Sequence, residues 1–482
     1  MPFVKFFLEN QNIKQTILKN NFWLGLSELI NKLLRLLPII YTIRLLGAYR
    51  FGEFSLAFSF AMFFSVLADF GLNFLLIKKT AKNEPTSLET LNNIFWLKII
   101  LGLLTNLIIV IAALLSPYAL IIKITILILS GFIFCDNLIQ LFFFYFRSLQ
   151  KVQYEALFKI INAVTMAVLV FVCLPLKISI VVVGAAYFFS SLLGLITLSF
   201  FFNYKFHPIK FIGNIHIWLN LLKSSLPLAA ILAFNLIYHS LDSIILGSYK
   251  MNVANGWYNA VYKVMDALLI PALILAGVFF PVLCSIYDKN KQKLENPKIF
   301  KNYLSFSLAM AIPILLGSLI MSNRIISILY GQNYLPAQPA FTILLGVLFL
   351  IYLGTPFMYL LMATDLQKIT IRIMAFGAIL NLILNLIMIP HWSLIGAGIA
   401  TLITYIFDCG LSIYFATKKL SLKIFDWEFW KSIIICLLVS LTLMFFSILI
   451  VKNNLSFILA LFLSIFIYGF VFYRLYIKRK TF

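Results

Sequence analysis

Three charged residues stand where an apolar chain should not carry them. Glu28, Lys32 and Arg35 lie at i, i+4 and i+7 within SELINKLLRLLPIIYTIRLLG, a spacing that puts all three on one face of a helix. Glu28 precedes Lys32, the favourable order for an i,i+4 pair, so these two are expected to neutralise each other. Arg35 is then left unpaired within its helix, close to the middle of an apolar run, where snorkelling to the surface is difficult. A face carrying Arg35, with Asn31 beside it, is therefore expected to line a hydrated cavity.

Further ionisable residues sit inside apolar runs. Lys263 and Asp266, at i and i+3, are spaced to pair with each other. Asp242 lies near the far end of the seventh run and is a candidate partner for a cation from the eighth. Lys98, Lys123 and Arg372 lie near the ends of their runs and are expected to snorkel. Asp136 and Asp408 are placed within runs, whereas Asp69 and Arg147 fall at helix ends, where a structural role is expected. A cavity lined by Lys32, Arg35 and Lys263 attracts anions, its field focused by low-dielectric walls. Phosphate and pyrophosphate are the usual partners of Arg and Lys, so they fit and a cationic solute does not. Glu28, Asp242 and Asp266 are the carboxylates available for pairing or for coupling to a proton or sodium ion. No nucleotide-binding or hydrolase motif is present, so ATP is not expected to be used directly, and no enzymatic activity is expected. The 5 cysteines and 4 histidines show no ligand spacing, which gives no reason to expect a metal or another cofactor.

These side chains need elements to hold them, and composition says which. The chain of 482 residues is 63% hydrophobic and only 11% charged, too little charge for a soluble protein of this length. About fourteen apolar runs are each long enough to cross a bilayer as a helix, the first over 22–46 and the last over 455–475. A β-barrel would show short segments of alternating hydrophobicity instead. Lys and Arg number 38 against 16 Asp and Glu, a formal charge of +22. The excess does not point to nucleic acid: the basic loops, from Lys78, Lys79 and Lys82 to the tail at Arg474–Lys480, all fall on one side in the alternating count. Both termini are expected on that side, the cytoplasm. The opposite loops are short, about fifteen residues at most, so any substrate must be handled among the helices.

One motif recurs. The first run ends Leu46-Gly47-Ala48-Tyr49-Arg50 and the seventh ends Leu246-Gly247-Ser248-Tyr249-Lys250; Gly52 with Phe54 follows the first, Gly256 with Trp257 and Tyr258 the second. Both close the first helix of a six-helix set, which predicts two parallel six-helix lobes with the site between them. The expected division is 1–202 for the N-lobe, 203–220 for a cytoplasmic linker, 221–416 for the C-lobe, and 417–482 for two further helices with a basic tail. Pro38 and Pro271, inside runs, are candidate hinges.

The run LGAYRFGEFSLAFSF followed by LADFGL resembles the opening of polysaccharide-transport flippases of the Wzx (O-unit translocase) type, in the superfamily that also holds multidrug MATE exporters. SLPLAAILAFNLIYHSLDSIILGSYK, GWYNAVYKV, GVFFPVLCSIY and ILYGQNYLPAQPAFTILL resemble later segments of the same family, so the likeness covers most of the chain to about residue 416. The resemblance implies two six-helix bundles in a V plus two C-terminal helices in the bacterial inner membrane. It implies transfer of undecaprenyl-diphosphate-linked oligosaccharide from the cytoplasmic to the outer leaflet, for O-antigen or capsule, by alternating access. A polysaccharide polymerase and glycosyltransferases are the implied partners, with proton or sodium coupling. The family's cationic cavity carries over to Lys32 and Arg35 and, more loosely, to Lys263. Two rivals differ in kind. A MATE-like exporter of small organic cations makes Glu28 and Asp242 matter more than Arg35. A glycan-processing membrane enzyme needs a long external loop, which the chain lacks.

Overall fold

The computed structural model describes residues 13–80, 87–206, 208–210, 214–288, 293–364, 366–420 and 427–450. The fourteenth expected span (455–475), the basic tail, Lys5, Lys82, Lys289 and Lys291 lie outside them.

The described elements are almost all helical. They are α1 (Ile13–Phe63), α2 (Ser65–Asp69), α3 (Leu72–Thr80), α4 (Ser87–Leu115), α5 (Leu120–Ser148), α6 (Val152–Leu176), α7 (Ile180–Lys205), α8 (Ile215–Ser248), α9 (Asn252–Leu268), α10 (Ile270–Ser285), α11 (Pro297–Ile320), α12 (Ser322–Tyr330), α13 (Gln338–Ala363), α14 (Gln367–Leu420) and α15 (Trp427–Ile450). A short antiparallel pair, Tyr287–Asp288 with Lys293–Leu294, is the one departure toward β structure among the described residues. Helices dominate because a backbone in hydrocarbon must satisfy its own polar groups.

Ten helices among the described residues are long and apolar enough to cross a membrane. Two of them are double. α1 runs 51 residues and α14 runs 54, each about 80 Å at 1.5 Å per residue, far more than one crossing. Each contains one residue with non-helical dihedrals that kinks it into two helices: Gly47 (φ 69°) in α1 and Ser393 (φ 50°) in α14. The protein is thus an all-α polytopic membrane protein, with ten to twelve long helices among the described residues.

Two compact units divide the chain: Met1–Ala260 with Asn385–Leu394, and Val261–Leu384 with Ile395–Phe482. In the first, α5 is enclosed by its neighbours. Its residues Phe142 and Phe146 pack with Phe202 of α7, whose ring centroid lies 4.9 Å from that of Phe142. In the second, Phe300, Leu304, Phe357 and Leu361 are fully buried, and Phe279 stacks on Tyr303 at 4.7 Å. Pro271 marks a break between helices rather than a kink within one. α9 ends at Leu268, α10 begins at Ile270, and the Tyr352 hydroxyl donates to the Leu268 carbonyl at 2.8 Å. That bond supplies a partner at the break, as hydrocarbon surroundings require.

The repeated turn meets its own repeat. Within the first unit, a Cβ on Gly52 would overlap the Asn252 carbonyl, and a Cβ on Gly256 would overlap the Ala48 carbonyl. The two contacts are reciprocal: Ala48 and Gly52 on one side, Asn252 and Gly256 on the other, each pair four residues apart. Small residues at this spacing let two helix backbones touch, the usual way membrane helices gain packing where the hydrophobic effect is absent. The Asn255 amide spans the crossing, donating to the Gly52 carbonyl at 3.0 Å. In the second copy the left-handed residue is Lys250 (φ 59°) where the first uses Gly47.

Candidate anion-binding site

Helix α1 carries Glu28, Asn31, Lys32 and Arg35, all partly buried. The Arg35 Nε donates to Asn31 Oδ1 at 3.1 Å, which aligns the guanidinium along the helix and leaves its other N–H groups available. Glu28 does not pair with Lys32. Its Oε1 accepts from the Lys159 ammonium of α6 at 2.5 Å. An i,i+4 pair on one exposed helix face is worth only about 0.3–0.5 kcal/mol, so a cation already fixed and desolvated on a neighbouring helix outcompetes it. Lys32 acts on Glu28 only through its field. Among the described residues Lys32 has no ion pair or hydrogen bond.

Behind Glu28 runs a ladder of charges that sequence spacing did not single out. Glu155 is fully buried and takes a forked pair of hydrogen bonds from Arg147, 2.7 Å from Nε to Oε2 and 2.5 Å from Nη2 to Oε1. Lys159 lies 2.8 Å from the same Glu155, one helical turn away. Arg147, Glu155, Lys159 and Glu28 alternate in sign and sum to zero. The signal was present in α6 as Glu155-Ala156-Leu157-Phe158-Lys159, an i,i+4 pair at the mouth of an apolar run.

Lys98 corrects the snorkelling expectation. Its side chain is completely enclosed, with the ammonium 2.8 Å from Asp69, 2.9 Å from Asn73 Oδ1 and 3.1 Å from the Asn137 carbonyl. The ammonium thus makes two hydrogen bonds and one ion pair. The chain breaks just after Asp69, at Phe70 (φ 47°) and Gly71 (φ 74°), so Asp69 and Asn73 come from two short helices, α2 and α3, that converge on one amine. Asp136 of α5 sits in the fields of Arg35, Lys98 and Lys159. With the ladder and the Lys98–Asp69 pair each neutral, Lys32 and Arg35 stand against the one carboxylate of Asp136. The net sign of this face is positive.

Asp242, 3% exposed, is held by the Tyr258 hydroxyl at 2.5 Å and the Asn385 amide at 2.6 Å. The expected partner from the eighth span was a cation; the residue that reaches it from that helix is Tyr258. Lys263 and Asp266 do pair, at 3.6 Å with both partly exposed, and belong to the second unit.

The fold and this charge inventory can be set beside known proteins. The family model described as "Polysaccharide biosynthesis protein" matches residues 17–287, more than half of the chain. An uncharacterized membrane protein of Methanocaldococcus jannaschii is 25% identical over 473 residues, spanning 91% of each chain. The probable flippase AglR of Haloferax volcanii is 32% identical over 170 residues, 35% of each chain. Among solved structures, the lipid II flippase MurJ in an inward closed conformation superposes with a TM-score of 0.73 at 18% identity, over 93% of this chain and 98% of that one. The chain is a member of the polysaccharide biosynthesis protein family.

Proposed function

We propose that the protein is a flippase that carries an undecaprenyl-diphosphate-linked oligosaccharide from the cytoplasmic to the outer leaflet of the inner membrane, for assembly of a surface polysaccharide such as O-antigen or capsule. The observation that carries this reading is the positive face of α1: Lys32 and Arg35 exceed the nearby unpaired carboxylate, in a helix that crosses lipid. The diphosphate pairs with Arg35 and Lys32, Asn31 contributes to the hydrated lining, and the polyprenyl tail stays in lipid. The halves are 1–202 and 221–416, joined by 203–220, with 417–482 appended and both termini cytoplasmic. Asp242 or Asp266 exchanges a proton or sodium ion during alternating access. A polymerase and glycosyltransferases act before and after the transfer.

Family membership supports this reading, as do relatives described as flippases and as capsular or teichuronic acid biosynthesis proteins. The protein is a transporter and not an enzyme. Export of small organic cations is the weaker reading, because Glu28 is already bound to Lys159 and Asp242 to Tyr258 and Asn385. Replacing Arg35 by Ala is expected to abolish transfer of a labelled lipid-linked oligosaccharide in proteoliposomes at unchanged protein level. Transfer at the wild-type rate would overturn the diphosphate clamp.

A further inference from the structure

The ion pair between Glu28 and Lys159 is lopsided. Lys159 is 11% exposed and gripped from one side by Glu155, which is wholly buried and forked to Arg147. From the other side it is touched by Glu28, whose side chain is 42% exposed. Glu155 cannot leave without stranding Lys159, which is 11% exposed, and breaking the fork to Arg147. Glu28 can: among the described residues its one ion pair is with Lys159, and 42% of its side chain is exposed. It also projects from the helix face that carries Lys32 and Arg35, within the field of Lys32.

We propose that Glu28 is a resident anion: in the empty protein its carboxylate fills the place that a substrate phosphate takes, and Lys159 is the third phosphate-binding cation, freed when Glu28 is displaced. The proposal rests on the diphosphate reading above and adds to it a residue and a selection rule. A single negative charge exchanges with Glu28 at no electrostatic gain, because one charge replaces another of the same size. A diphosphate carries more charge and meets Lys32, Arg35 and Lys159 together, so it wins the exchange. The resident carboxylate thereby holds off chloride and singly charged phosphodiester lipid headgroups, which would otherwise crowd a cationic face in a membrane. Specificity here comes from an incumbent that weak competitors cannot remove.

The test uses the full chain purified in detergent, with undecaprenyl diphosphate and the singly charged phosphodiester lipid phosphatidylglycerol as probes. Glu28→Gln is expected to tighten diphosphate binding about tenfold, and phosphatidylglycerol binding by a larger factor, so that discrimination between the two falls. Lys159→Gln is expected to weaken diphosphate binding, and the double variant to lose the gain of Glu28→Gln. Unchanged or weaker binding by a folded Glu28→Gln protein overturns the proposal. If that variant does not fold, Glu28→Asp keeps the charge and shortens its reach to Lys159; a smaller gain in the same direction supports the proposal, and no gain overturns it. Arg35→Ala separates the two claims. Wild-type diphosphate binding by Arg35→Ala refutes the diphosphate site as a whole. Weakened binding by Arg35→Ala without a gain in Glu28→Gln refutes the resident anion alone.

Discussion

Removing the ammonium of Lys98 leaves the Asp69 carboxylate beside Asn73 with no cation at hydrogen-bond distance. Breaking a buried pair from one side usually costs about 3–5 kcal/mol. Lys98→Met is therefore expected to lower the melting temperature in detergent sharply, and Lys98→Met with Asp69→Asn to recover part of the loss. A double variant as unstable as the single would show that the pair does not act as a unit. The same residue marks a limit of reading from sequence. Distance from the end of an apolar run suggested that Lys98 could reach the surface, and nothing local contradicted it. Its acceptors come from two other parts of the chain, at Asp69–Asn73 and Asn137, and only the fold brings them together. Glu28 gives the same lesson. Helical periodicity placed it correctly on a face with Lys32 and Arg35, but its partner Lys159 lies 131 residues away. Spacing reveals which residues share a helix face and says nothing of what the neighbouring helix presents to it.

Among the elements, the long apolar helices were legible because hydrocarbon forces continuous hydrophobic runs, and run length sets the number of crossings. The fragmentation after Phe63 was less legible. α2 is five residues long, and its end at Phe70–Gly71 uses two consecutive left-handed residues, of which only the glycine is a sequence signal. The echoed turn was visible as a motif, while its role as a contact was not, since two similar segments need not touch. At that crossing, Gly52→Ala and Gly256→Ala are each expected to destabilise by about 1–3 kcal/mol, because the added carbon overlaps a carbonyl of the opposite helix. The double variant is expected to lose less than the sum, as both changes spread one interface. Thermal unfolding of the purified protein followed by tryptophan fluorescence measures both, and an unchanged melting point for the single variants would count against close approach.

For the molecule as a whole, the distribution of charge carries the orientation. The excess of Lys and Arg gathers on alternate loops, so both ends are expected in the cytoplasm. A green fluorescent protein fused after Phe482 is expected to fluoresce, and alkaline phosphatase at the same place to stay inactive. The reverse pattern would invert the assigned direction of transport.

The crossing of Ala48–Gly52 with Asn252–Gly256 has a further meaning. Each turn offers the other what the other offers it, which is the property of an isologous interface between identical subunits. A half-length chain bearing this turn would hold the surface for pairing with a second copy of itself, so joining two copies end to end demands a connector and no new contact. Selection then acts on the two turns jointly: a bulkier residue at Gly52 is tolerable only if the Asn252 carbonyl recedes, and the turns are expected to co-vary across relatives as a dimer interface does.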